Sequence, residues 1–223
     1  MSEPHADAYA DLRARVRAIV ATADPVVIGR PAPATPEWTV HDVLAHLVGV
    51  TDDVVHGRLD GIASDSWTAA QVELRRAAPT AALLDEWDAH GPQFDEMLRA
   101  APAEIAGQAL FDAATHEHDI RHAVAMPGAR ESEAVVLGWE WLVDARTRGA
   151  MPAIRLVTEA GDAVAGTGEP RATVRASRFE LLRASSGRRS AAEVAQYAWD
   201  PNPDAALLLA GPIFRLRGEA LAE

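Results

Sequence analysis

TPEWTVHDVLAHLVG, residues 35–49, changes from a proline-containing, helix-breaking segment to helical spacing within five residues. Thr39 stands where an N-cap belongs, and Val40, Val43, Leu44, Leu47 and Val48 then recur on one face, which predicts a helix over 40–60 with His46 at the rim of its apolar stripe. The second informative stretch, ALFDAATHEHDIRHAVAMPG at 109–128, predicts a helix over 109–126 that stops before Pro127 and Gly128. Similar periodicity appears over 6–23 (Tyr9, Leu12, Val16, Ile19, Val20) and 67–78. It recurs over 80–100 (Leu83, Leu84, Trp87, Phe94, Met97, Leu98) and 132–147 (Val135, Val136, Trp139, Leu142, Val143). Between the first two of these helices the four prolines from Pro25 to Pro36 break the chain, and no convincing strand precedes Gly149. A one-sided apolar stripe has to be buried against another, so the expectation is a mainly α protein built on a four-helix bundle with extra helices.

After Gly149 the texture changes. IRLVTEAGDAVAG (154–166) and PRATVRAS (170–177) are short β-type runs separated by Gly-Asp and Gly-Glu-Pro turn signals. Helical spacing returns over 178–185 and, capped by Ser190, over 191–198. The reading is a helical bundle over 1–149 followed by a small α+β C-terminal domain over 150–223.

Composition removes several classes of function. The net charge is −12, every basic residue is Arg, and the basic residues form no concentrated run, so neither nucleic acid nor an anionic membrane is expected as a partner. Without lysine there is no Schiff-base chemistry; without cysteine there is no disulfide and no internal thiol nucleophile, so any thiol has to come from outside. The N-terminal MSEPHADAYADLRARV lacks the apolar core of a signal peptide and no run approaches the ~20 apolar residues of a membrane span, which places the protein in the cytoplasm as an expectation.

At about 100° per residue, Asp112, His116 and Asp119 fall within about 60° of one another on their helix, while His118 and His122 lie on a different face. The spacing alone leaves both pairs, Asp112/His116 and His118/His122, open as ligands. With His46 brought across from the 40–60 helix, the first pair would complete a set of two nitrogens and one carboxylate. Such a set leaves a divalent cation at least one open position, which suits chemistry rather than a purely structural role. His5, His41, His56 and His90 read as surface residues. Trp87, Trp139 and Trp141 read as core, as does Trp38, which at a helix entrance is also placed to line a cleft.

These residues carry a resemblance. PEWTVHDVLAHLVG resembles the W-[ST]-V-x-D-[LV]-[LV]-A-H-L signature of DinB-like metalloproteins, in particular the mycothiol-dependent maleylpyruvate isomerase family. DAATHEHDIRHAVAMPGA is similar to that family's second signature: an acidic residue, three spacers, His, two residues, then Asp and an aliphatic residue. RFELLRASSGRRSAAEVAQYAWDPNPD (178–204) is similar to the sterol-carrier-like domain that follows the bundle in these proteins. The resemblance implies a DinB-like bundle whose metal ligands are His46, Asp112 and His116, choosing that pair over His118/His122. It puts Asp119 behind a ligand histidine as a catalytic-site residue. Two positions depart from the pattern: Asp112 stands where the founding isomerases carry Glu, and His118 where many relatives have an aromatic residue.

By the same resemblance the cofactors are a divalent metal (zinc, with nickel or iron as alternatives) and mycothiol as cosubstrate. The partners are a small thiol and an electrophilic or acidic substrate, handled by a monomer or homodimer. Apart from the resemblance, the planar forks of Arg183, Arg188 and Arg189 suit a ligand carboxylate, and Arg188 is taken as the anchor. The implied enzyme is an isomerase of maleylpyruvate-type acids or a thiol S-transferase. A metal-dependent hydrolase using water, and a non-enzymatic small-molecule carrier, are the competing readings.

Overall fold

The structure is a computed structural model that describes residues 2–200, 215–221 and 223. Packing divides the chain into two units, one of Met1–Ala106 with His116–Gly128 and one of Gly107–Thr115 with Ala129–Glu223. The protein is mainly α, with its larger sheet in the C-terminal part.

The first unit begins with α1 (Glu3–Thr22) and a single helical turn, α2 (Pro25–Ile28). The proline-rich segment that follows is not merely a breaker: β1 (Pro31–Ala32) and β2 (Thr35–Thr39) pair antiparallel, Pro31 opposite Thr39 and Ala32 opposite Thr35. Proline fixes φ in a range compatible with extended chain, so this two-stranded ribbon forms where periodicity gives no strand signal. It delivers Trp38 and Thr39 to the start of α3 (Val40–Val55). There a reciprocal cap closes the helix, Asp42 N donating to Thr39 Oγ1 at 3.1 Å and Thr39 N to Asp42 Oδ2 at 3.0 Å. Such a cap contributes about 1 kcal/mol. The helix ends at Val55 rather than near 60, because His56 closes it and Gly57 adopts φ +69°.

Three further helices follow: α4 (Asp65–Arg75), α5 (Thr80–Ala100) and α6 (Ala103–Ala123). α3 packs on α4 and α5, and α1 on α5. Tyr9, Leu44, Leu47, Leu83, Trp87 and Phe94 are almost completely buried in this core, each side chain contributing roughly 1.5–3 kcal/mol by leaving water. Thr51 is its polar hinge, taking the Trp87 indole N–H at 2.9 Å and donating to Leu47 O at 3.2 Å. Arg13 crosses α5 at Gly91, where a Cβ would lie 2.5 Å from its guanidinium carbon, and grips Asp95 with two bonds of 2.9 and 2.7 Å.

In the second unit the Gly107–Thr115 segment of α6 meets α7 (Glu133–Arg148) through missing side chains. A Cβ on Gly138 would sit 3.1 Å from the Phe111 backbone, and one on Gly107 2.9 Å from Trp141, whose ring lies 4.9 Å from that of Phe111. Strand β3 (Ile154–Thr158) forms a hairpin with β4 (Gly161–Ala165) and runs parallel to β5 (Thr173–Arg175). Helices α8 (Arg178–Ser185) and α9 (Ala191–Val194) precede β6 (Ala198–Asp200), and the sheet order is β4-β3-β5-β6.

The helix expected over 191–198 stops at Val194, since Ala198–Asp200 pairs antiparallel with β5 and the Trp199 indole donates to Val194 O at 2.8 Å. An open sheet edge outweighs the local preference of an alanine-containing run. The α7 helix packs on α8 and β4. Residues 201–204, the end of the stretch that resembles a C-terminal sterol-carrier-like domain, lie outside the described residues. Among the described residues no helix is long and apolar enough to cross a membrane.

The contact between α3 and α4 is close. A Cβ on Gly49 would fall 2.5 Å from Gln71 Cβ and 3.1 Å from Arg75 Nη1. Gly49→Ala is therefore expected to destabilise by about 1–2 kcal/mol net, overpacking outweighing the ~1 kcal/mol that alanine gains over glycine in a helix. Gly218→Ala, in open space, is the control. Urea midpoints measure both, and an unchanged midpoint for Gly49→Ala would refute the close approach.

Candidate metal centre

The rotation of α6 decides what it presents to α3. Glu117, fully buried, receives both forks of Arg15 at 2.9 and 2.8 Å and the Arg121 guanidinium at 2.9 Å. With Glu117 turned toward α1, the adjoining face carries Asp112, His116 and Asp119. On α3, His46 is buried rather than at a solvent rim. His46, Asp112 and His116 each offer one donor atom, and these lie within 4.8 Å of one another. The two imidazoles meet edge to face, centroids 5.1 Å apart at 77°. The half-buried Trp38 indole flanks both, 5.4 Å from His46 and 5.9 Å from His116. It lines the site rather than the core.

Each histidine is held through Nδ1. His116 Nδ1 is 3.0 Å from Asp119 Oδ2, one turn along the same helix. A carboxylate accepts, so Nδ1 carries a proton, and in the neutral ring Nε2 then has the lone pair. His46 Nδ1 is 2.9 Å from Gln71 Oε1 of α4. Sequence reasoning assigned Gln71 no role; the trace it leaves is that Gln71, Val72 and Arg75 form the buried face of a short helix, two of the three polar.

The remaining histidines are not part of this cluster. His118 and His122 are not members of the donor cluster, and His118 is buried, not on a solvated face. Arg188 is buried, with Nη1 donating to Ser186 O at 2.6 Å. His41 Nε2 is 2.8 Å from Ala78 O. His56 and His90 belong to a second cluster around Asp52 and Glu86. There the cation is already supplied: Arg75 Nη2 sits 2.7 Å from Asp52 Oδ2 and 2.5 Å from Glu86 Oε1, and Arg58 also pairs with Asp52. A metal would have to displace buried guanidinium, so this is an ion-pair network and the His46 cluster is the one suited to a metal.

Comparison with known proteins follows the same line. The family model described as "Mycothiol maleylpyruvate isomerase N-terminal domain" matches residues 9–136. Two solved structures share the fold. The first is an alanine variant of the mycothiol-dependent maleylpyruvate isomerase (TM-score 0.61, 11% identity, 84% of this chain and 89% of that one). The second is the mycothiol-dependent maleylpyruvate isomerase (TM-score 0.56, 14% identity, 84% of this chain and 90% of that one). No curated protein matches.

The Asp52 network makes the protein acid-sensitive in a stated direction. Burial pushes the Asp52 carboxyl up, but the Arg75 hydrogen bond and the charges of Arg58, Arg75 and His56 outweigh it and hold the carboxyl below the ordinary range. A carboxylate lowered on folding stabilises above its unfolded value near ~4, and that contribution is lost as pH falls through the lower folded value. Asp52→Asn is therefore expected to flatten the loss of stability below about pH 4. At pH 7 Arg75→Met should cost about 2 kcal/mol, less than a fully buried pair because Glu86 is partly exposed. Denaturant titrations at both pH values measure these effects; an unaltered acid limb in Asp52→Asn would exclude the network as its source.

Proposed function

The chain belongs to the mycothiol maleylpyruvate isomerase N-terminal domain family, and from that premise we propose a metal-dependent enzyme that uses an external low-molecular-weight thiol, mycothiol. The reaction is isomerisation of maleylpyruvate-type acids or S-transfer to an electrophile. The observation that carries the reading is the His46, Asp112 and His116 cluster, donor atoms within 4.8 Å, in a chain with no cysteine of its own.

The donor set fits a divalent cation. Nε2 of His116 is left with its lone pair, the carboxylate of Asp112 supplies the single negative charge of the trio, and mixed N/O sets of three suit zinc, with nickel or iron as alternatives. A bound cation of this kind would favour thiolate over thiol at neutral pH. Asp119 orients His116 and sustains its donor strength. Trp38 walls the site and excludes water from one side of both imidazoles. Arg188 is proposed to anchor a carboxylate of the cosubstrate or substrate through its planar fork.

In the isomerisation the thiolate sulfur adds to an activated C=C bond and the resulting single bond rotates. Elimination restores the double bond and returns the same thiol. In the transfer the C–S bond remains and the electrophile's leaving group departs with the electron pair. Residues 1–149 are proposed as the DinB-like metal-binding bundle and 150–223 as a sterol-carrier-like α+β domain.

Elemental analysis should find about one divalent metal per wild-type chain and none in His46→Ala, with His118→Ala and His122→Ala retaining metal. Calorimetric titration with mycothiol should give binding that strengthens toward neutral pH in metal-loaded protein and disappears after chelation. Equal metal content in wild type and His46→Ala refutes the ligand set; metal-loaded protein that ignores millimolar thiol favours the hydrolase or carrier reading.

A further inference from the structure

Gln71 lies between two groups whose chemistry fixes its direction. Its side-chain nitrogen donates to Asp53 Oδ2 at 2.8 Å, and Arg58 Nε donates to the other oxygen of Asp53 at 2.7 Å. An ion-paired carboxylate accepts and does not donate, so the Gln71 amide turns its NH2 to Asp53 and its carbonyl oxygen to His46. That oxygen only accepts, which requires a proton on His46 Nδ1, so that in the neutral ring Nε2 carries the lone pair. The chain of bonds from Arg58 through Asp53 and Gln71 to His46 therefore runs one way.

We infer that Gln71 is a positioning residue for His46, and that the Arg58–Asp53 ion pair, which touches neither a ligand nor the site, selects the His46 nitrogen offered to a metal. The inference rests on the metal reading of the site. Unlike His116, oriented by Asp119 on its own helix, His46 is oriented across helices, from α4 and from the end of α3. The absence of a side chain at Gly49 is what lets Gln71 come close enough, since a Cβ there would collide with Gln71 Cβ and Cγ. Gln71 is itself only 2% exposed, so water offers no substitute partner.

The direction of the chain, rather than its packing, can be tested with near-isosteric changes. Asp53→Asn puts amides at both places, so either orientation of Gln71 becomes allowed. Gln71→Glu combined with Asp53→Asn restores an acceptor facing His46 and a donor facing that acceptor. Two readouts apply: the tautomer of His46 by long-range nitrogen–proton NMR in metal-free protein, and zinc affinity by chelator competition, with thermal midpoints confirming folding.

Wild type should show the Nδ1–H form and Asp53→Asn a mixture. Zinc affinity should fall about 10–100-fold in Gln71→Leu and about 3–10-fold in Asp53→Asn, and recover in the double variant. Unchanged tautomer and affinity in both single variants, or a double variant worse than Asp53→Asn, overturns the inference while leaving the metal site standing. Wild type that binds no zinc overturns the metal reading and this inference with it.

Discussion

Burying one helix on every side is the constraint from which the rest of the first unit follows. From Asp42 to Gly49 every residue of α3 is buried, as are Thr51 and Asp52 beyond them. A helix so placed cannot leave its polar groups to water, because each unpartnered one costs more than the bond it would have made. Asp42 turns back to Thr39, Thr51 serves Trp87 and Leu47, Asp52 takes Arg75, and His46 takes Gln71. The candidate site is one instance of this satisfaction, not an addition to it. The same burial that forces His46 to find a partner for Nδ1 is what keeps its other nitrogen away from bulk water.

The all-Arg composition takes on a structural meaning in this light. Arg13 on Asp95, Arg15 on Glu117 and Arg189 on Glu180 each present two nitrogens to one carboxylate. A lysine ammonium cannot offer that planar fork, nor hold the azimuth of a helix through it. Buried pairs of this kind add little net stability once desolvation is counted, but a mismatched rotation would strand a buried charge. The Arg15 and Arg121 bonds to Glu117 thereby exclude the rotations of α6 that would turn His116 away from His46.

Much of this was legible in the sequence where the signal is local. The cap at Thr39 and the strand pair within IRLVTEAGDAVAG depend on spacing within one stretch and appear at their expected places, whereas the helix expected over 109–126 runs from Ala103 to Ala123. The two-stranded ribbon at 31–39, the strand at 198–200 and the burial of His118 were not legible, because each is decided by what lies across from it in space. Gln71 is the clearest case. A glutamine on a short amphipathic helix has no periodic signature, and its role exists only because Gly49, twenty-two residues earlier in the chain, leaves room for it.

The substitution of a shorter acid at position 112 bears on how this chain differs from the isomerases it resembles. Aspartate has one methylene less than glutamate, so its carboxylate stays nearer the helix axis and reaches a shared centre only if the partner helix comes close. Here the Asp112 carboxylate still lies within 4.8 Å of both imidazole donors. The shorter acid therefore still brings an oxygen donor to the two nitrogens. Trp38 stands against both imidazoles, 5.4 Å from His46 and 5.9 Å from His116. An aspartate keeps the charge and the oxygen donor of a glutamate, so if the trio holds a metal as proposed, the shorter acid changes where the ligand atom starts and not what it supplies.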